Sequence, residues 1–367
     1  MAESAFAKVA VIGLGLMGGS LALALTRAGY DVTGWDADSD SLTEAWNLGA
    51  IKKIPASLAE VVAETAVVFV ATPVSAIPRV IAECLPLTKA GTIFSDLGSI
   101  KQSIVNQVRE FLPDSHYFVP GHPMTGSEQN GIAAADPFLF QNAAYILIKT
   151  EFTPPSVLQT VYDIVKATGA HLLTLQAEEH DRIVGMVSHL PHLIAAVLAK
   201  TAGLAEEIYP GTLRLAAGGF RDTTRIATGS PRLWEGIIFG NKLMVLEAIR
   251  AFEQQLAKLR EIVSAGATVD LISFLAVARD VRLQIPARNK GFLTLLHEMV
   301  VTIEDKPGAI NEVIQYLAYE GINIKDIEIL RVREGDGGTL RLALEEDSAL
   351  ERGIQILTAK GFKVKRR

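Results

Sequence analysis

A histidine and a serine, each in a glycine-containing segment, are the residues best suited to acid–base chemistry. His122 lies in the sequence Gly-His-Pro-Met-Thr-Gly-Ser-Glu over 121–128, and Ser99 lies in Asp-Leu-Gly-Ser-Ile-Lys over 96–101. A neutral imidazole accepts a proton near neutral pH, and a serine hydroxyl can hold that imidazole, or a substrate hydroxyl, by a hydrogen bond. We therefore treat His122 as a candidate general base assisted by Ser99. The alternative is a loop histidine that is structural or merely solvated.

Two arginines near a polar turn form a second candidate group. Arg221 and Arg225 lie in the sequence Gly-Gly-Phe-Arg-Asp-Thr-Thr-Arg over 218–225. A guanidinium binds a carboxylate through two parallel hydrogen bonds. The same pattern also fits the start of a surface helix with ion pairs. Carboxylate binding is therefore one of two interpretations that the sequence leaves open.

A third group contains His189 and His192, which are three residues apart and share a helix face. A catalytic zinc site needs three protein ligands and an open position, and no further ligand is suitably spaced. We expect no metal here. The remaining interpretations are substrate contacts from a second domain and buried polar packing.

A glycine pattern near the N-terminus predicts a dinucleotide site. Gly13, Gly15 and Gly18 have the G-x-G-x-x-G spacing between a short apolar run and a stretch of good helix formers. A strand that turns into a helix N-terminus presents free N–H groups to a pyrophosphate. Asp36 follows the next predicted strand, at the position of the acid that binds a ribose hydroxyl. No basic residue follows it before Lys52, so we expect NAD and not NADP.

The elements that must position these residues alternate between strand and helix through the first half of the chain. This alternation is typical of a parallel sheet with crossover helices, in which ligands gather beyond the carboxyl ends of the strands. Gly13, Asp36, Thr72, Ser99 and His122 each come just after a predicted strand. We therefore expect them at one edge of the sheet.

Long helical patterns replace the strands from about residue 178. We expect Pro191 to kink the first of these helices, and Ser230 to cap a helix that starts at Pro231. The apolar faces over 178–285 exceed what one small bundle can bury, which predicts a helix-mediated homodimer. A linker over 285–291 then leads to the order strand, helix, strand, strand, helix, strand, which is typical of the ferredoxin-like arrangement. The glycines at 335–338 are expected to form its hairpin turn.

Composition excludes several classes of protein. The net charge of −6 over 367 residues gives no large basic surface for nucleic acid. Cys84 is the only cysteine, which excludes an intramolecular disulfide and fits a reducing cytoplasm. We see neither a signal-peptide pattern nor an apolar run that approaches a membrane span. The expectation is a cytoplasmic protein that binds neither nucleic acid nor membrane.

In this order on one chain, the motifs resemble those of the prephenate dehydrogenase family, in the bacterial form that carries a C-terminal ACT domain. The segments that carry the resemblance are 13–20, 96–101, 122–128, 188–192 and 219–225, with 305–308 and 321–324 for the ACT domain. The resemblance implies an α/β Rossmann-type NAD-binding domain over 1–177. An all-α dimerisation and substrate domain over 178–285 would follow, and then a ferredoxin-like α+β ACT regulatory domain over 292–367.

The resemblance also implies a reaction, the oxidative decarboxylation of prephenate to 4-hydroxyphenylpyruvate. Hydride would pass to NAD from the ring carbon that bears the hydroxyl, and carbon dioxide would leave the opposite carbon as the ring becomes aromatic. By this resemblance His122 accepts the hydroxyl proton, and Ser99 lies between that hydroxyl, His122 and the nicotinamide. We expect the rate with bound substrate to fall below a pKa that belongs to His122.

Further site residues follow from the resemblance alone. The implied substrate contacts are His189, Arg225 and Thr125, and the implied cofactor contacts are Gly13, Gly15, Leu16, Met17, Gly18, Asp36, Thr72 and Pro73. Tyrosine is the implied effector. Its expected site is Asp305, Pro307, Gly308, Ala309 and Asn323. The alternative is an ACT domain that only stabilises or dimerises the protein.

Three other functions remain as alternatives. Arogenate dehydrogenase uses the same chemistry on a substrate with an amino group in place of the side-chain keto group. A β-hydroxyacid dehydrogenase would need a lysine base, and the helical region has no matching lysine motif. An amino-acid sensor with a vestigial nucleotide fold would not need the complete set of glycine, acid, serine, histidine and arginine residues.

Overall fold

The computed structural model describes residues 8–126, 129–285, 296–304, 306–330 and 338–366. The chain divides into two compact units, Met1–Gly291 and Phe292–Arg367. Some expectations fall on residues outside the described ranges. These residues are Ser127 and Glu128 of the histidine segment, most of the linker, Asp305, and the turn glycines at 335 and 337.

A five-stranded parallel sheet organises the first part of the larger unit. Its strands are β1 (Lys8–Ile12), β2 (Asp31–Trp35), β3 (Val67–Val70), β4 (Ile93–Asp96) and β5 (Tyr117–Val119), in the spatial order β2-β1-β3-β4-β5. The crossover helices are α1 (Leu16–Arg27), α2 (Ser39–Asn47), α3 (Leu58–Val62), α4 (Ile77–Cys84) and α5 (Gln102–Phe111). The predicted Rossmann-type architecture is confirmed. The strand order reverses beside β1, which is where such sheets bind ligands.

The strands of this sheet are buried on both faces, as expected for a parallel sheet between helices. Val9 and Val11 of β1 belong to one apolar layer, together with Leu21 of α1. Ala10 and Ile12 belong to the opposite layer. The uninterrupted apolar sequence of β1 is therefore explained by burial on two sides.

A second sheet begins at the histidine segment. Its strands are β6 (Gly121–Pro123), β7 (Ala144–Ile148) and β8 (His171–Leu175), and α6 (Pro155–Lys166) connects β7 to β8. β6 pairs with β7 in antiparallel register, with His122 opposite Ile146. His122 therefore lies in a strand and not in a loop. Pairing with β7 holds the backbone of His122 in a strand.

Helices fill the rest of the larger unit. They are α7 (Ala177–Val184), α8 (Leu190–Ile208), α9 (Gly218–Thr224), α10 (Pro231–Gly240), α11 (Lys242–Ala265) and α12 (Thr268–Leu283). Gly185–His189 is a π-helical turn that joins α7 to α8, and Pro191 lies in the first turn of α8. The irregularity therefore precedes the proline, whose missing N–H costs nothing at a helix start. α10 begins at Pro231 as predicted, but the Ser230 side chain makes no capping hydrogen bond.

The helical run Ala177–Ile208 is 32 residues long and, by length and composition alone, could cross a membrane. The expectation that no segment approaches a membrane span is wrong on this criterion. The sequence predicted a kink at Pro191, whereas in the structure the π turn and α8 continue α7 without interruption. The run carries four buried polar residues, His180, Asp181, His189 and His192. A segment with such groups suits a helical domain better than a lipid environment.

The smaller unit is a sheet covered by two helices. Its strands are β9 (His297–Ile303), β10 (Ile324–Leu330), β11 (Gly338–Leu344) and β12 (Lys363–Arg366), and its helices are α13 (Ala309–Tyr319) and α14 (Asp347–Ala359). The spatial order is β10-β11-β9-β12, with every pair antiparallel. Element order and sheet order are those of the split βαβ arrangement. Met299, Leu342 and Leu317 lie in its apolar core.

Candidate active site

The glycine loop between β1 and α1 leaves open space at one of its three glycines. Gly13 has φ +92°, and a Cβ there would lie 2.8 Å from the carbonyl oxygen of Ala71. A Cβ on Gly18 would lie 1.8 Å from the carbonyl oxygen of Gly13, whereas a Cβ on Gly15 would meet nothing within 4 Å. Gly13 and Gly18 therefore allow the tight turn and the close helix packing. The space at Gly15 is where a phosphate can approach the helix N-terminus.

Asp36 is held at the end of β2 by backbone groups. Its Oδ2 accepts the N–H of Leu14 at 2.7 Å, and its Oδ1 accepts the N–H of Asp38 at 2.9 Å. Each carboxylate oxygen keeps a further lone pair for a ribose hydroxyl. The carboxylate is thus joined directly to the glycine loop by the hydrogen bond from Leu14.

Thr72, just beyond β3, has a buried Oγ1 without a hydrogen-bond partner. Buried hydroxyls are rarely left unpaired, so this atom suits a bound polar ligand. Leu16 and Met17 are half-buried at the start of α1, and Pro73 is exposed. Together with the open space at Gly15, these residues fit a dinucleotide.

His122 is the first member of a buried chain of hydrogen bonds. Its Nδ1 lies 2.7 Å from Nε2 of His180, and Nδ1 of His180 lies 2.8 Å from Oδ1 of Asp181. The Asp181 carboxylate can only accept, so His180 donates from Nδ1 and accepts at Nε2 from Nδ1–H of His122. This assignment of protons leaves Nε2 of His122 as an acceptor. The chain thereby fixes the tautomer that a general base requires.

The surroundings of His122 keep its imidazole neutral. Burial lowers the pKa of His122 well below its ordinary value, and His180, Lys101 and His189 lower it further because each disfavours another positive charge nearby. The pKa of His180 is also lowered, mainly by burial, although its bond to Asp181 opposes the shift. A neutral His122 can accept a proton throughout the neutral pH range.

Asp181 joins the helical region to the parallel sheet. Its carboxylate accepts the N–H of Lys101 at 2.7 Å and the N–H of Gln102 at 2.9 Å, at the N-terminus of α5. A carboxylate there satisfies orphan donors and complements the helix dipole. The residue that orients His180 is therefore itself held by two backbone N–H donors.

His189 enters the same region from the π turn. Asn241, between α10 and α11, donates one N–H to the carbonyl of Asp181 at 2.7 Å and lies 3.2 Å from Nδ1 of His189. Burial lowers the pKa of His189 to about 4, so its ring is neutral at pH 7. With Nδ1 accepting from Asn241, Nε2 carries the proton and is a donor for a ligand.

His192 and Trp234 support the segment that carries Arg225. Their rings stack with centroids 3.6 Å apart and an interplanar angle of 11°. A hydrogen bond from His192 to the backbone of Ile226 raises the pKa of His192, although burial, which lowers it, is the larger effect. Arg225 begins the 3-10 turn Arg225–Thr228, which packs on α8. His192 thus has a structural role beside the arginine.

The predicted catalytic residues lie on neighbouring segments. Ser99 follows β4, is half-buried, and has no hydrogen-bond partner among the described residues. Thr125 is half-buried just beyond β6. Within the described ranges, no group of three or more His, Cys, Asp or Glu residues is arranged to hold a metal ion.

Sequence reasoning missed the support of His122. The sequence pattern gave no role to His180 or Asp181, and it did not single out Lys101 or Asn241. One feature of the sequence could have indicated this support. The predicted strand β4 has the sequence Ile-Phe-Ser-Asp and so ends in a charged residue, Asp96. A charged residue at the end of a buried strand needs a partner.

Comparisons with known proteins agree on one family. Models of the prephenate dehydrogenase nucleotide-binding domain and dimerization domain match residues 21–174 and 176–277. A prephenate dehydrogenase of Bacillus subtilis is 36% identical over 358 residues, 96% of each chain.

Two solved structures are similar to the larger part of the chain. The A. aeolicus prephenate dehydrogenase, solved with hydroxyphenyl propionate and NAD+, matches with a TM-score of 0.72 and 29% identity over 77% of this chain and 99% of that one. Synechocystis arogenate dehydrogenase matches with a TM-score of 0.68 and 27% identity, over 76% and 99% of the respective chains.

Proposed function

This chain belongs to the prephenate dehydrogenase family, and we infer from that membership that it catalyses the NAD-dependent oxidative decarboxylation of prephenate in tyrosine biosynthesis. The observation that carries the mechanism is the buried chain from His122 through His180 to Asp181. It lies in the unit that also holds the glycine loop. The chain presents a neutral acceptor nitrogen, which is what oxidation of a ring alcohol requires.

We propose that Nε2 of His122 accepts the hydrogen of the substrate hydroxyl. NAD, when bound, accepts the hydride from the carbon that bears this hydroxyl. His122 takes up the proton as the carbon–oxygen bond gains double-bond character, and the bonds to His180 and Asp181 stabilise the resulting imidazolium. The product is a phenol, so the proton returns to the oxygen once carbon dioxide has left. The reaction therefore needs a base but releases no net proton.

The substrate's two carboxylates need cationic or donor partners. Arg225 offers a guanidinium for one of them, and His189 offers its Nε2–H to the substrate. Ser99 supplies a hydroxyl for the oxygen that reacts. We propose these three residues, with Thr125, as the substrate contacts. The proposed cofactor contacts with the most direct structural support are Gly15, Asp36 and Thr72. The other proposed cofactor contacts are Gly13, Leu16, Met17, Gly18 and Pro73.

One assay tests this function. We expect the purified chain to form NADH from NAD and prephenate, with little turnover when NADP replaces NAD because Asp36 repels a 2′-phosphate. Arogenate is the matched comparison, since one structural relative is an arogenate dehydrogenase. Turnover of arogenate alone would keep the mechanism and change the substrate. Absence of turnover with both substrates, while NAD still binds, would contradict the proposal.

We propose that the smaller unit is an ACT domain through which tyrosine slows the enzyme. Its split βαβ order supports the assignment. Pro307 and Gly308 precede α13, Ala309 is its first residue, and Asn323 precedes β10, so the proposed contacts lie at the ends of adjoining elements. The rate with added tyrosine is an arm of the same assay. An unchanged rate at millimolar tyrosine would favour a stabilising domain.

We also propose a cytoplasmic homodimer formed through the helical region. Large apolar residues of α8, α11 and α12 are exposed in the single chain, namely Val197, Ile208, Leu243, Val263, Val269 and Ile272. Exposed apolar residues concentrated on three helices fit an interaction surface. Light scattering should give twice the chain mass of 39.5 kDa. A monomer mass at micromolar concentration would contradict the proposal.

A further inference from the structure

A buried ion pair lies between the segment of Ser99 and the strand of His122. Asp96 is the last residue of β4, and Lys101 immediately precedes α5. Both side chains have 0% exposure, and Nζ of Lys101 contacts Oδ2 of Asp96. A buried pair is weak evidence for stability, but it can specify a single arrangement of the groups around it.

The pair holds both polar backbone groups of Gly121. The N–H of Gly121 donates to Oδ1 of Asp96 at 3.2 Å, and its carbonyl accepts from Nζ of Lys101 at 2.6 Å. A Cβ on Gly121 would lie 2.8 Å from the carbonyl oxygen of Asp96, so the backbones approach closely here. His122 is the next residue, and the position of its ring therefore depends on the pair.

The two residues of the pair also lie on either side of Ser99 in the sequence. The N–H of Gly98 donates to Oδ2 of Asp96 at 2.9 Å, which fixes the chain on one side of Ser99. The N–H of Lys101 donates to Oδ1 of Asp181, which fixes the chain on the other side. Asp181 also binds His180, so the supports of Ser99 and His122 share atoms.

We propose that Asp96 and Lys101 are positioning residues for prephenate oxidation, because their ion pair fixes the Ser99 segment against the strand of His122. This role rests on the proposed function. Neither residue touches the substrate in this proposal. The pair acts by holding the hydroxyl of Ser99 and the imidazole of His122 at one separation, where a misplacement of about 1 Å costs on the order of 100-fold in rate.

The charge of Lys101 gives this role a second consequence. The charged or titratable groups near His122 include His180 and Asp181 of α7, His189 of the π turn, and the pair itself. Tyr145 of β7, opposite Pro123, is a further titratable residue on the paired strand. Lys101 is one of the causes that lower the pKa of His122. Its removal raises that pKa, since a nearby cation disfavours the imidazolium. The rate requires neutral His122, so loss of the lysine charge alone would move the acidic limb of the kcat profile to higher pH, whereas a variant that keeps the charge would not.

The test is the double variant Asp96→Asn with Lys101→Met, which removes both charges together. A single substitution would leave one buried charge unpaired, and that is more damaging than removing the pair. The matched control is Lys89→Met, whose lysine pairs with Glu64 on the surface at 66% exposure. NAD binding, kcat and KM for prephenate are measured across pH for the three proteins.

We expect the double variant to bind NAD within about twofold of wild type, and its kcat to fall roughly 10- to 100-fold. Removal of the anion lowers the pKa of His122 and removal of the cation raises it, so the acidic limb of the double variant should stay near that of wild type. The control should match wild type in every measurement. A folded double variant with wild-type kcat would overturn the proposal. Inactivity of wild type itself would instead contradict the proposed function.

Lys101→Arg keeps the proposal testable if the double variant does not fold. This variant retains the charge but changes the length and geometry of the donor. We expect a reduced kcat with an acidic limb at the wild-type pH. A wild-type kcat for this variant would overturn the positioning role.

Discussion

The substitution His122→Asn is expected to lower kcat for prephenate by roughly 10²–10⁴-fold, the usual contribution of a general base. The asparagine side chain can still donate to Nε2 of His180 in place of Nδ1–H, so the buried chain keeps its first hydrogen bond. The acceptor nitrogen that faces the substrate is lost. NAD binding should be unchanged, because the glycine loop and Asp36 are untouched.

The pH profile separates this role from a structural one. Wild-type kcat should be constant at neutral pH and fall only under acidic conditions, since burial and nearby positive charge hold the pKa of His122 below its ordinary value. The variant should lose that acidic limb. His116→Asn is the matched control, because His116 bonds to Thr88 and Ser115 in another part of the sheet. A His122→Asn enzyme with kcat within a few-fold of wild type would refute the assignment.

The substitution Arg225→Ala is expected to weaken prephenate binding by roughly 10- to 150-fold, the range for loss of a hydrogen bond to a charged group. The Kd for NAD should change little, because Arg225 lies in the helical region and the nucleotide loop lies beyond β1. KM for prephenate and Kd for NAD are the two measurements. Equal weakening of both ligands would exclude a role specific to the substrate.

A conservative variant sharpens this test. Arg225→Lys retains the charge but not the planar fork, so its KM should lie between those of wild type and Arg225→Ala. Arg79→Ala on α4 is the control, because its side chain is 75% exposed. An Arg225→Lys enzyme as impaired as Arg225→Ala would indicate that two-point geometry, and not charge, governs binding.

Local patterns were sufficient to predict the turn and the acidic residue that frame the proposed nucleotide site. The turn at Gly13 and the approach at Gly15 depend on residues adjacent in sequence, and Asp36 follows from the end of the next strand. The alternation of strands and helices then placed these residues at one sheet edge. Each step needed only short-range spacing and the general behaviour of parallel sheets.

The support of the base was not predictable, because it depends on contacts between distant positions. His122 and His180 are 58 residues apart, and Lys101 and Asp181 are 80 residues apart. No periodicity links such pairs. The strand character of β6 was also missed, since Gly-His-Pro has low strand propensity and only its pairing with β7 fixes it. At this segment, tertiary pairing determined the backbone conformation in spite of the low intrinsic strand propensity.

The π turn at Gly185–His189 has a consequence for the spacing of the helix that bears the site. His180 and His189 are nine positions apart, which in a regular α-helix, at about 100° per residue, would place them on opposite faces. A π turn rotates the chain less per residue, so it brings His189 back toward the side of Asp181, where Asn241 contacts both. With one residue fewer, the two histidines would be eight positions apart, which in a regular helix is an angle of only about 80°. The π turn therefore accommodates one additional residue without turning His189 to the opposite face. If the same residues formed a regular α-helix instead, His189 would face away from Asp181 and Asn241, so the site depends on the π form of this segment as well as on its sequence.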